Sequence, residues 1–117
     1  MLRMEPGMVF SVLGKFPSVI IFEMIIHSPE LKLKNDYAII SSQIEFETTK
    51  FPFPKELWFR FPKEYEDYIL PRGDAFLVGM IIPAMVVGED IKINAPVSPK
   101  LINGLIEYQK ILQMKIN

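Results

Sequence analysis

Glu45 and Glu47, two residues apart, are the pair of carboxylates most able to do acid and base chemistry in this chain. They fall in a stretch of two-residue alternation, so both project from one face of a strand, and the plainer reading is two solvated acids. His27 is the only histidine. A single imidazole at a strand end, with no partner at a diagnostic spacing, reads as structural rather than catalytic. No spacing of His27 against the carboxylates matches a metal cage. The absence of cysteine excludes disulfides, thiol nucleophiles and thiolate metal sites. No serine has a base or an oxyanion-forming loop at recognisable spacing, and the six glycines are scattered rather than gathered into a phosphate loop. Glu64, Glu66 and Asp67 read as a solvated helical turn. Arg72-Gly73-Asp74 matches an adhesion tripeptide, but a helix beginning at Asp74 accounts for it better. No constellation here is complete, so no catalytic, cofactor or metal residue is assigned and no cofactor is expected.

What remains is recognition. Phe51, Phe53, Trp58, Phe59, Phe61, Tyr65 and Tyr68 crowd into eighteen positions, interleaved with Lys55, Arg60 and Lys63. Such a mixture can stack bases, but it more often forms core plus an intrachain or subunit interface. The candidate interaction surface is therefore Phe51, Phe53, Trp58, Arg60, Tyr65 and Tyr68. The charge balance, 13 basic against 14 acidic residues, gives nucleic acid no electrostatic footing.

These residues need elements to hold them. The 117 residues suffice for one domain at most, and a hydrophobic half of the chain suffices for a core. The apolar run from Met8 to Ile26 is long enough to span a bilayer, but Lys15, Pro17 and Glu23 interrupt it. Burying two charges in hydrocarbon costs about 2.5–3.5 kcal/mol each. Glu23 and its bulky neighbours also argue against a signal-peptide cleavage site. A cytoplasmic protein without membrane contact is the expectation.

Strands are expected over 8–13 and 18–27, the second rich in β-branched residues, with an amphipathic helix as the competing reading of 18–27. Leu31-Lys32-Leu33-Lys34 alternates, Asn35-Asp36 is turn chemistry, and 37–49 has the clearest alternation in the chain. There Ile40, Ser42, Ile44, Phe46 and Thr48 share the packed face. Two prolines in 50–55 mark a connection. A strand follows over 56–61, with Leu57, Phe59 and Phe61 opposite Trp58 and Arg60, and then a helical turn over 63–70.

Asp74 to Gly88 is apolar on nearly every side and uncharged after Asp74. It reads as a helix wrapped by the rest of the domain. Asp74 is its cap or first-turn residue, Gly88 its left-handed stop, and Pro83 is expected to bend it by freeing the Gly79 carbonyl. A strand over 89–94 comes next. Ser98-Pro99 starts a second helix running to about Met114, with Leu101, Leu105, Tyr108 and Leu112 as its buried stripe, widened by Ile102, Ile106 and Ile111. The fold class is α+β. Its sheet is mixed and antiparallel-rich, a meander plus one β-α-β crossover, with two main helices on one face. Residues 1–35 are read as an N-terminal extension supplying strands to the sheet, and 36–117 as an accessory domain.

One family resemblance runs through the second half of the chain. Its motifs, in order, are Leu57-Trp58-Phe59-Arg60-Phe61-Pro62-Lys63-Glu64-Tyr65, Gly73-Asp74-Ala75-Phe76-Leu77-Val78, Ile82-Pro83-Ala84-Met85, Gly88-Glu89-Asp90, Ala95-Pro96-Val97-Ser98-Pro99-Lys100-Leu101 and Leu105-Ile106-Glu107-Tyr108-Gln109. From Ser42 to about Ile111 this order resembles the N-terminal region of bacterial proteins that continue into an ATP-pyrophosphatase (PP-loop, adenine nucleotide alpha hydrolase-like) domain. In such proteins the ATP site resembles a Ser-Gly-Gly-x-Asp-Ser loop, which this chain lacks, so no catalytic residue carries over. The resemblance implies a non-catalytic accessory module, with a PP-loop ATPase domain as partner in cis or in trans, docking on that domain or shaping its substrate site. The alternative is a free-standing small protein that homodimerises through its aromatic and apolar surface. A minimal hydrolase using Glu45 and Glu47 ranks below both.

Overall fold

The computed structural model describes residues 7–12, 22–47 and 54–116, the side chains of 8 and 113–116 excepted. Six strands form one mixed sheet: β1 (Met8–Phe10), β2 (Glu23–Ile26), β3 (Glu30–Lys34), β4 (Tyr37–Glu45), β5 (Glu56–Pro62) and β6 (Asp90–Ile93). A 3-10 turn over Lys63–Tyr68 and helix α1 (Asp74–Val87) separate β5 from β6, and helix α2 (Pro99–Ile116) follows.

β3, β4 and β5 form the expected antiparallel meander, with Leu31 opposite Ile40 and Phe59 opposite Ile40 on the other side. Asn35 turns the β3–β4 hairpin at φ 49°, in the left-handed region that Asn tolerates. β2 extends the edge occupied by β3, pairing with Ile44 and Glu45 of β4 beyond the Ser28-Pro29 break. β6 runs parallel to β2 and antiparallel to β1, so it is flanked on both sides. Because β4 is antiparallel to both β2 and β5, β5 and β6 point the same way. The β5–α1–β6 connection therefore crosses over between parallel strands, above β4 and β2.

A single core joins the layers. Ile26, Ile40, Ile44, Ile91 and Ile93 from the sheet meet Phe76, Leu77, Met80, Ile81 and Ala84 from α1 and Leu105 from α2. Several boundaries differ from expectation. Of the strand expected over 18–27 the structure shows Glu23–Ile26; Phe22 and His27 flank it outside the strand, and 18–21 lie outside the described residues. The long alternating strand stops at Glu45, where β2 stops pairing with it. The turn after β5 is 3-10 and ends at Tyr68.

Gly73 is the residue preceding α1, and Asp74 occupies the first helical position. The Asp74 carboxylate accepts the Ser98 N–H at 3.3 Å, linking the starts of the two helices. Ser98 caps α2 by accepting the Leu101 N–H on its hydroxyl at 3.2 Å. At the far end of α1, Gly88 adopts φ 73° and donates to the Ala84 carbonyl at 2.8 Å. The Glu89 N–H reaches the same carbonyl at 3.1 Å, so the helix closes in a tight left-handed stop. Gly88→Ala should therefore cost about 1 kcal/mol in urea denaturation, since a Cβ is disfavoured at that φ. An unchanged midpoint would contradict the cap.

α1 remains one helix across Pro83. Gly79 serves the packing against β5, where a Cβ would lie 2.8 Å from Leu57 Cδ2. Nor is α1 wrapped. Val78, Ile82 and Val86, spaced by four, form an exposed apolar ridge on the face away from the core. On α2, Leu105 is buried as expected, but Gln109 is buried too, while Ile106, Tyr108 and Ile111 are exposed. The buried line runs 101/102, 105, 109 and 112, one position off the stripe through Tyr108.

Candidate functional site

Alternation along β5 divides the aromatic residues between two faces. Trp58 and Arg60 point outward, opposite Ser41 and Ile39 of β4. Trp58 is 53% exposed, and the Arg60 guanidinium lies 4.3 Å over the Tyr37 ring centroid. Phe59 and Phe61 point toward the helices. Phe59 meets Phe76 edge-on, with ring centroids 5.3 Å apart and planes inclined at 68°. The candidate surface read from the sequence is thus not one patch. Tyr65 and Tyr68 lie on the Phe61 side, Trp58 and Arg60 on the other, and Phe51 and Phe53 lie outside the described residues.

On the helix side, Phe61, Tyr65 and Tyr68 help form a groove of about 490 Å³ with Ile40, Phe59 and Ile69. The 3-10 turn makes it. Pro62, at φ −55° and ψ 142°, swings the chain off the sheet. The Lys63 N–H then donates to the Asp36 carbonyl at 2.8 Å, pinning the turn to the β3–β4 hairpin. Tyr65 and Tyr68, three residues apart, align on one side of a three-per-turn helix. Tyr68 is 80% exposed and Leu70 beyond it 59%. The far rim is Arg72, whose Nε sits 3.5 Å from Asp74 Oδ1. A second groove of about 430 Å³ opens between Phe59, the Ala75–Val78–Gly79 face of α1 and Leu101 of α2.

The acids considered for catalysis are used elsewhere. Glu45 Oε1 pairs with His27 Nε2 at 3.1 Å, joining β4 to the end of β2. Glu47 Oε2 accepts the Glu23 N–H at 2.8 Å, and the Glu47 N–H donates to Glu89 Oε1 at 2.9 Å. Glu45 and Glu47 thus serve different partners rather than a shared proton. Arg72 and Asp74 pair with each other at the mouth of the groove instead of presenting a free loop. Among the described residues no group of three or more His, Asp or Glu could hold a metal ion, and no helix is long and apolar enough to cross a membrane.

Two acids that the sequence offers only within a motif of the resemblance, and not as site residues, are the most deeply buried acids among the described residues. Glu89 is fully buried, and Asp90 accepts the Val12 N–H on Oδ1 at 3.0 Å. Alternation in Asp90-Ile91-Lys92-Ile93 would turn Asp90 to solvent. Its burial follows from the central place of β6 and from the N-terminal segment laid against it. Only that pairing, which no local spacing encodes, could have signalled it.

No protein-family model matches the chain, and no curated protein or solved structure matches it either.

Proposed function

We propose that the chain is a non-catalytic interaction module that docks on an ATP-pyrophosphatase-type catalytic domain, in the same polypeptide or another, and shapes the acceptor-substrate side of its site. The observation that carries the docking half of this reading is the exposed apolar surface gathered at one place. Phe61, Tyr65, Tyr68 and Leu70 are all exposed around the 490 Å³ groove, and an exposed apolar patch of this kind marks interaction surfaces. Aromatic side chains supply most of the energy at such sites. The choice of partner rests on the resemblance of residues 42–111 to regions that precede PP-loop domains. A cytoplasmic location belongs to the same reading, since a cysteine-free chain fits a reducing compartment.

The test is size-exclusion chromatography of the chain mixed with an ATP-pyrophosphatase-type domain carrying the Ser-Gly-Gly-x-Asp-Ser loop. Such a domain encoded directly downstream of Asn117 is the first choice. Co-elution at about 10 μM is expected, and independent elution contradicts the proposal.

One observation favours a second reading, self-association. The ridge Val78, Ile82 and Val86 carries no charge, so two copies could cross there without like charges meeting. Sedimentation equilibrium separates the two, because a strict monomer eliminates the dimer and leaves the docking reading standing.

A further inference from the structure

We infer that the outer edge of β5 pairs with β5 of a second copy of this chain, antiparallel about a two-fold axis at Trp58, so that two sheets join into one. This rests on self-association, the second reading above, and adds the edge and the register through which it occurs.

The bonding between β4 and β5 fixes which backbone groups are left over. The Ile44 N–H donates to the Lys55 carbonyl and the Lys63 N–H to the Asp36 carbonyl, both at 2.8 Å. Pairing between these two bonds is continuous, from Gln43 opposite Glu56 to Tyr37 opposite Pro62. Along an antiparallel ladder, residues alternate between bonding toward the neighbouring strand and away from it. Residues 55, 57, 59, 61 and 63 therefore bond toward β4, while Glu56, Trp58 and Arg60 turn their N–H and C=O groups to the other side. No strand among the described residues pairs there. Glu56, Trp58 and Arg60 are all exposed. An open edge of seven residues is a template for another strand.

The order of side chains selects a second copy as that strand. Glu56 and Arg60 flank Trp58 at equal spacing. Antiparallel pairing about Trp58 sets the two tryptophans opposite each other and Glu56 of each copy opposite Arg60 of the other. Aromatic and opposite-charge pairs of this kind stabilise antiparallel strands. Every outward N–H and C=O from Glu56 to Arg60 then has a partner. Pro54 and Pro62, which lack an N–H, lie equally far on either side of Trp58 and bound the paired run. An axis at Phe59 would leave Glu56 opposite Pro62, and one at Arg60 would set two arginines opposite each other. Among the described residues no ion pair engages Glu56 or Arg60. Glu56 accepts the Gln43 amide at 2.6 Å and Arg60 rests over Tyr37, so both charges remain to be matched. The helix layer fits the same axis. A two-fold relating paired strands stands perpendicular to the sheet, so both copies of α1 fall on one side of it. There Leu57 falls opposite Phe59 of the second copy. Gly79 packs on Leu57, and Val78 shares the 430 Å³ groove with Phe59, so the exposed ridge of α1 starts beside β5.

Sedimentation equilibrium of the full chain and two charge variants tests the inference. The wild type should dimerise with a Kd of about 10 μM or below. R60E sets two acids opposite each other at each end of the paired run, and E56R sets two arginines there. Each should weaken the dimer at least about tenfold. An equimolar mixture of E56R and R60E should restore association to about the wild-type strength, because every acid then faces an arginine. That rescue also shows that both variants are folded, since a misfolded chain has no β5 edge to offer. A strictly monomeric wild type overturns this inference and the self-association reading together. A dimer that both variants leave intact overturns the β5 edge and leaves self-association through another surface standing. Two weakened variants that stay apart when mixed overturn the register about Trp58.

Discussion

Replacing Phe76 with alanine lowers the stability of the fold by about 3–5 kcal/mol in urea denaturation, the range for removing a large buried aromatic side chain. Phe76 is 1% exposed, in the first turn of α1. It packs edge-on against Phe59 of β5 and forms part of the floor of the aromatic groove. Its ring therefore joins the helix layer to the sheet at the point where the groove opens. The loss has two parts, the transfer of the ring and the cavity left between two rigid elements that cannot close on each other. Small domains have about 5–15 kcal/mol in all, so the variant should be near its folding limit. Val78→Ala, on the exposed ridge of the same helix, should cost under about 1 kcal/mol. Equal losses for the two variants would contradict the one-sided burial of α1.

The second large effect is at Asp90. Asp90→Ala should cost about 1–3 kcal/mol, because it strands the buried N–H of Val12, seventy-eight residues away in sequence. Val12 is itself in the core, and the segment before it pairs with β6 as β1. Losing the carboxylate thus loosens the N-terminal strand as well as one hydrogen bond. Asp90→Asn keeps an acceptor oxygen and should cost less. Hydrogen exchange reports the same bond locally, since the Val12 amide should be protected in the wild type and exchange faster in Asp90→Ala. Alanine and asparagine variants of equal stability would show that the carboxylate oxygen does not hold the strand.

Local signals were legible because local chemistry decides them. Asn35-Asp36 makes the hairpin turn, Gly88 takes the left-handed stop, and Ser98-Pro99 opens α2 with its hydroxyl on the Leu101 N–H. Alternation in β4 and β5 likewise assigned faces to Ile40, Ile44, Leu57 and Phe59. The meander and the crossover then followed from element order, and the α+β sheet is as expected.

What was not legible depends on partners distant in sequence. The parallel seat of β6 beside β2 buries Asp90 and Glu89, whereas period-two reasoning sends Asp90 outward. The composition of α1 is apolar all round, and nothing in it says which side the sheet will cover. Its ridge at Val78, Ile82 and Val86 is exposed only because the sheet meets the other face. On α2 the broad apolar stripe allowed several rotations, and the observed one buries Gln109 and exposes Tyr108. The aromatic residues were visible as a cluster in sequence, but strand alternation separated Trp58 and Arg60 from Tyr65 and Tyr68. The groove exists because Pro62 and the 3-10 turn fold the tyrosines back beside α1, a tertiary event.

The most direct measurement is the affinity of an ATP-pyrophosphatase-type domain for the wild-type chain and for the double variant Tyr65→Ala/Tyr68→Ala, by isothermal titration. Both tyrosines are largely exposed, so the variant keeps the core intact, and matched denaturation midpoints verify that. A docking groove predicts at least a tenfold loss of affinity, about that expected when aromatic anchors are removed from an interface. Unchanged affinity in a folded double variant would contradict the assignment of this groove as the docking surface.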